Sequence, residues 1–222
     1  MWRDAGLVAQ RDLRIELRSR VTVNQVAPFA LLVLLLFAFA LDPDRGLLER
    51  VTPGLYWTAV LFSGLLALGR SAALDEADGT RDALRLSGLD PAGVFLGKAG
   101  AIAAQLLALE ALLAVGVAIL YDAEPVGAGL LVVTCLSATA AVATAGTLYG
   151  ALVSGFRVRE TLLPLVLLPV LAPVLIGATR AFEAALGDAA ADGWPWCGLL
   201  AGFAVVYSVA GALAYGTLLE GS

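Results

Sequence analysis

The sequence predicts an all-α fold: a polytopic membrane protein with six transmembrane helices and an N-terminal interfacial helix. Three observations predict it. Hydrophobic residues make up 60% of the 222 residues and charged residues 15%, with a mean hydropathy of +0.88. Ordinary soluble domains are roughly 45–50% apolar and about 25% charged. The apolar residues also come in blocks long enough to supply the ~20 residues that one helix needs to cross a bilayer core. Finally, basic residues are unevenly placed. With six spans, one side carries eleven of the fourteen: Arg3, Arg11, Arg14, Arg18, Arg20, Arg70, Arg81, Arg85, Lys98, Arg157 and Arg159. The other side carries Arg45, Arg50 and Arg180. The basic side is the cytosolic one, so both termini are expected in the cytosol, and five or seven spans would break the alternation.

In chain order, residues 1–20 read as an amphipathic helix. Arg11, Arg14 and Arg18 line one face, and Ala9, Leu13 and Leu17 line another. Trp2 suits a headgroup boundary, so this helix should lie in the membrane surface. The charged start and the lack of a small-x-small cleavage site argue against a signal peptide. The first span runs from Val21 or Val26 to Leu41, and residues 42–54 form a polar turn. The second span covers about Leu55–Leu68, or extends to Leu74, with Tyr56 and Trp57 placed at one end as interface aromatics. A polar stretch at 70–98 follows. The third span is about Ala99–Leu120, and 121–125 form a tight turn. The fourth, Val126–Val153, is rich in small residues that let membrane helices approach closely. A basic turn at 154–160 precedes the fifth span, Thr161–Ala178. A polar loop at 179–195, with room for a short helix in AFEAALGDAAADGWP, leads to the sixth, Trp196–Leu219. The whole of 1-222 reads as a single transmembrane domain.

Several chemistries are excluded or disfavoured. The chain has no histidine, and its only methionine is Met1, which removes HExxH zinc proteases, Ser-His proteases and the usual haem axial ligands. Cys135 and Cys197 are far apart and read as small packing residues. No nucleotide-binding loop occurs, so any ATP-driven work needs another chain. Asp75-x-x-Asp78-Gly79 opens like a phosphatidyl-alcohol transferase signature. The further carboxylates that such a site needs for its cations are replaced by Leu96 and Gly100, so no metal site can be assembled. Nothing in the sequence suggests nucleic-acid binding. The chain is expected not to be an enzyme.

Three features remain as candidate sites. The stretch 70–98 holds five acidic and four basic residues between apolar spans. Within it, TRDALRLSGL can form a short amphipathic helix, with Thr80 or Asp78 as N-cap and Asp82 in the first turn. Leu84, Leu86 and Leu89 give it an apolar side; Arg81 and Arg85 give it a basic one. It reads either as a docking element for a cytosolic partner or as a solvated connector. Glu110 lies within the third span, with Gln105 nearby. A buried charge there costs about 2.5–3.5 kcal/mol on insertion scales, so Glu110 either lines or couples a path, or makes a buried interhelical hydrogen bond. Pro164, Pro169 and Pro173 in the fifth span each remove a helix hydrogen bond; they read as helix kinks forming a hinge, or as the prolines common in membrane helices.

Taken together, LLFAFALDPD (35–44), EADGTRDALRLSGLDPAGVFLGKA (76–99) and LLPLVLLPVLAPVLIGA (162–178), in this order on six spans, resemble the haem exporter protein B (CcmB) family. That family supplies the permease of the cytochrome c maturation ABC transporter. The resemblance implies a type-2 ABC exporter-like permease in a bacterial or archaeal inner membrane. It implies a separate ABC ATPase, the A component of the transporter, together with membrane subunits C and D and the haem chaperone E. ATPase docking would fall on Asp78, Gly79, Arg81, Leu84, Arg85 and Leu86. ATP and Mg would bind the partner, haem would belong to the wider complex, and this chain would bind no cofactor itself. A homodimer is expected, since one six-span bundle is half of a usual ABC membrane domain. The task would be haem export or ATP-driven release of the haem-loaded chaperone. Other readings are a type-2 permease for a lipid, polysaccharide or drug, and a non-transporting membrane scaffold.

Overall fold

The computed structural model describes residues 1–19, 22–41, 45–77, 88–121, 127–153, 159–187 and 190–220. Seven α-helices follow one another in these residues, and no strand occurs among them: α1 (Trp2–Ser19), α2 (Ala27–Leu41), α3 (Arg45–Ala77), α4 (Pro91–Tyr121), α5 (Ala128–Val153), α6 (Arg159–Leu186) and α7 (Trp194–Glu220). A π-helical turn, Thr22–Val26, leads into α2, and a 3-10 turn, Ala190–Gly193, leads into α7. Five stretches are long and apolar enough to cross a membrane: Arg50–Ser71, Pro91–Leu120, Ala128–Val153, Thr161–Leu186 and Ala190–Leu218. A sixth is reached if the α1–α2 pair is counted as one span. At 15 residues α2 alone covers about 22 Å, but with its π turn it approaches the ~30 Å of a bilayer core.

Small residues decide the packing. Along α5, Ala138, Thr139, Ala141, Val142, Ala143, Ala145 and Gly146 are all buried, and this helix packs against α3, α4, α6 and α7. Its four buried threonines turn their hydroxyls inward; those of Thr134, Thr144 and Thr147 donate to the carbonyls of Leu130, Ala140 and Ala143, so these three hydroxyls are paired within the helix. α4 is the second hub, touching α1, α2, α3, α5 and α7. The outward faces stay apolar: Phe39 is 75% exposed, Ile119 76% and Leu213 79%. Water would not tolerate so continuous an apolar surface, whereas lipid accepts it.

Four sequence boundaries shift. The helices run longer than their apolar cores, about 50 Å for α3 at 33 residues and about 46 Å for α4 at 31, so both continue past the hydrocarbon. Hence 70–98 is not loop throughout: helices take residues 70–77 and 91–98. The turn at 42–54 shrinks because α3 starts at Arg45 and carries Pro53 inside it. That earlier start moves Tyr56 and Trp57 three turns into the bundle, where each is 1% exposed; they are core residues and not interface aromatics. The loop expected at 179–195 is largely helix, because α6 continues to Leu186.

Candidate functional site

The end of the bundle that carries α1 brings together charged residues of α1, α3 and α4, among them Asp4, Asp12, Glu16, Arg70 and Lys98, with Asp90 just before α4. Phe95 and Val94 of α4, Leu148 of α5, Tyr215 of α7 and Val8 of α1 form one apolar cluster there. This places the start of α4 and the ends of α5 and α7 at one level. α1 crosses the start of α4 on Gly93 and Gly97. A Cβ on Gly97 would stand 2.6 Å from the Ala5 carbonyl oxygen, and one on Gly93 would stand 2.7 Å from the Met1 oxygen. Only glycine allows two backbones this close. The inner stripe of α1 is therefore Ala5, Val8, Asp12 and Glu16, at helical spacing, and not the Leu13–Leu17 stripe. Leu17 is 74% exposed and Trp2 76%, which leaves the leucine stripe for the membrane surface.

Charge fixes that register. Asp12 approaches Lys98 at 3.8 Å and Glu16 approaches Arg70 at 3.7 Å. Lys98 is 4% exposed, so its ammonium depends on that carboxylate far more than a surface lysine would. At the start of α1, the Met1 ammonium lies 3.2 Å from Asp4 and 3.6 Å from Asp90. The Asp4 hydrogen bond raises the pKa of that ammonium most, burial opposes it, and the nearby charges of Asp4 and Asp90 add to the rise. The same ammonium, helped by the Asp90 backbone N–H, lowers the Asp4 carboxyl. Asp90 precedes Pro91 at the first position of α4, where a missing N–H does no harm. Two residues earlier Gly88 has φ +65°, a left-handed turn that glycine adopts without strain.

The candidate docking residues Asp78, Gly79, Arg81, Leu84, Arg85 and Leu86 lie outside the described residues. Their flanks do not. The segment joins Ala77, the last residue of α3, to Gly88 before α4, at the end strapped by α1.

Farther into the bundle, Glu110 is 2% exposed. Its Oε1 accepts a hydrogen bond from the Thr139 hydroxyl of α5. Its Oε2 is buried with no partner, as is the indole Nε1 of Trp57. Tyr56 donates its hydroxyl to the Glu110 carbonyl at 3.0 Å and passes 3.8 Å from the Cys135 sulfur. The Tyr56 ring stacks on Phe182 of α6 at 4.6 Å and meets Trp57 edge-on at 5.5 Å. Four helices thus meet at one buried polar and aromatic knot. Sequence reading singled out Glu110 but missed Tyr56, Cys135 and Thr139 as its neighbours. Cys197 is buried against the Thr134 hydroxyl at 3.2 Å, one residue along α5 from Cys135.

Gln105 is not part of the knot. It lines a cavity of about 580 Å³ between α1, the π turn, α2, α3 and α4. The three prolines of the fifth span lie in one unbroken helix, α6. Pro164 is half-buried, while Pro169 and Pro173 face outward with Leu165 and Ile176. Among the described residues no group of His, Cys, Asp and Glu side chains could hold a metal ion.

Comparison with known proteins covers nearly the whole chain. The family profile described as CcmB protein matches residues 4–222. A protein named heme exporter protein B from Haemophilus influenzae is 33% identical over 180 residues, 80% of each chain. One of the same name from Paracoccus denitrificans is 32% identical over 82% of this chain and 83% of its own. A third, from Bradyrhizobium diazoefficiens, is 30% identical over 92% of both. A multi-pass helical chain matched from residue 4 to its last residue leaves one conclusion: it belongs to the CcmB family.

Proposed function

We propose that this chain is the membrane permease of an ABC-type haem exporter assembly of the cytochrome c maturation kind. The family match over residues 4–222 carries the reading. The heme exporter name borne by the relatives sets it above export of a lipid, polysaccharide or drug and above a scaffold role. The permease works as a homodimer in the cell membrane with its α1 end in the cytosol. It is not itself an enzyme and binds no cofactor; the ABC ATPase, a separate chain, binds ATP and Mg. Membrane subunits C and D and the haem chaperone E complete the assembly.

The mechanism follows from connectivity. ATP binding can shift this bundle only through contacts that differ between the two states of the ATPase. Segment 78–87 is the natural contact, with Leu84 and Leu86 as apolar anchors and Arg81 and Arg85 beside them. A push on it reaches α3 and α4 together, since α1 braces both through Arg70 and Lys98. Those are the helices that carry Tyr56 and Glu110 into the central knot. The chain has no histidine and only Met1 as methionine, so its spans offer neither of these two axial ligands to haem iron. That favours a coupling task, ATP-driven release of a haem-loaded chaperone, over direct ligation of haem.

The test is co-purification of the ATPase with the Leu84→Asp/Leu86→Asp double variant. Loss of the ATPase from a correctly folded membrane fraction is expected. Undiminished pull-down would remove segment 78–87 from the docking role.

A further inference from the structure

The 580 Å³ cavity falls within the roughly 300–1,000 Å³ range of small-molecule sites and has a built polarity. Its rim and floor lie on successive turns of the same helices. On α3, Arg70 is followed inward by Leu66 and Ser63; on α4, Gln105 by Leu109; from the π turn, Gln25 by Phe29. The polar rim sits at the level of α1, the membrane surface. The apolar part lies about 5–10 Å deeper. Phe29 and Leu66 are 56% and 54% exposed, so the cavity opens sideways towards lipid and not along the bundle axis.

We infer that this cavity is a binding site for a zwitterionic phospholipid with a primary ammonium headgroup. The acyl chain lies against Phe29, Leu66 and Leu109, and the headgroup lies at the Glu16–Arg70 rim. Charge complementarity selects the occupant. Glu16 and Arg70 stand 3.7 Å apart on the rim and sum to no net charge. An anionic headgroup would meet Glu16 as well as Arg70. A zwitterion places its phosphate at the guanidinium, whose five N–H donors exceed what one carboxylate takes, and its ammonium at the carboxylate. Choline cannot donate to Glu16, whereas a primary ammonium can. Haem fits less well, since no His, Cys, Met or Tyr is among the lining residues and its propionates would face Glu16. The inference does not depend on what the permease moves.

The experiment uses the full chain reconstituted in vesicles of phosphatidylethanolamine, phosphatidylglycerol or phosphatidylcholine. The chain is then released into mild detergent, and retained lipid is read by native mass spectrometry. Phosphatidylethanolamine should be retained at least about tenfold over the other two, the ratio of a modest affinity difference. Ala67→Phe fills the cavity from α3 and should abolish retention. Glu16→Gln should turn the preference towards phosphatidylglycerol. Equal retention in Ala67→Phe, or a wild-type preference for phosphatidylglycerol, overturns the proposal. So does haemin binding, read by its absorbance, that Ala67→Phe removes while lipid retention stays unchanged. If Ala67→Phe does not purify as a single species, Glu16→Gln decides alone, because it keeps the volume: an unchanged lipid preference overturns the proposal.

Discussion

Glu110 shows what a single carboxyl does inside this bundle. One oxygen takes the Thr139 hydroxyl and the other has no partner, so the side chain ties α4 to α5 without being fully satisfied. Glu110→Ala removes that tie and leaves a hole, a loss expected at about 2–3 kcal/mol. Glu110→Gln keeps the shape and an acceptor, and should stay within about 1 kcal/mol of the parent. Thermal unfolding in detergent, followed by size exclusion, separates the two; equal losses would mean that an amide cannot replace the carboxyl at Thr139. If Glu110→Gln is stable yet no longer stimulates the partner ATPase, the carboxyl serves coupling as well as packing. At the surface, the Met1 ammonium is raised and Asp4 lowered by their mutual contact. The tie at the start of α1 is therefore complete between the two groups' ordinary values. It is lost as pH rises through the raised ammonium pKa, or falls through the lowered Asp4 pKa. A spin label at Leu7→Cys should become more mobile above about pH 8; Asp4→Asn should weaken that pH dependence, leaving the part that the Met1–Asp90 contact supports.

At the scale of the element, α1 was legible as a helix but its docking face was not. Its own periodicity advertises a leucine stripe and an arginine stripe. The stripe that docks, Ala5–Val8–Asp12–Glu16, is chosen by partners far along the chain: Gly93, Gly97, Lys98 and Arg70. Gly97→Leu should lift α1 off α4 and cost about 1–3 kcal/mol, because the obstructing atom is the Ala5 backbone oxygen and cannot swing away. Maleimide labelling of Val8→Cys, at a position 3% exposed in the parent, reads this directly. Labelling as slow in the Gly97→Leu background as in the parent would show that α1 docks by charge alone. Gly100, where an added Cβ would meet nothing within 4 Å, is the control; Gly100→Ala should leave labelling unchanged.

For the whole molecule, the alternation of basic and acidic connections and the clustering at the α1 end point the same way. Val8, Val94, Phe95, Leu148 and Tyr215 meet at one end, and the basic N-terminal segment and the 78–87 segment attach there. Single cysteines at Asp78 or Arg85 should react with a membrane-impermeant maleimide only from the cytosolic side. Reaction from the opposite face would invert the bundle and end the proposed ATPase contact. The transmembrane core was readable because hydropathy in blocks of about 20 residues is a local property. Helix ends were less so: α3 and α6 run past their apolar cores because polar residues also form helix once a neighbouring helix braces them. Tyr56 and Trp57 looked interfacial for the same reason.

The order of residues by itself determined that this chain is a helical membrane protein and that it resembles the CcmB family, and it groups eleven of the fourteen basic residues on one side of a six-span reading. Each of these depends on composition within one stretch or on the order of stretches, and no contact is needed to see it. Only the tertiary structure decided which residues act together. Glu110 meets Thr139, Tyr56 stacks on Phe182, and the acidic stripe of α1 finds Lys98 and Arg70. Those pairings join residues 29 to 126 positions apart in the chain, and a bilayer offers no water to satisfy a polar group that misses its partner.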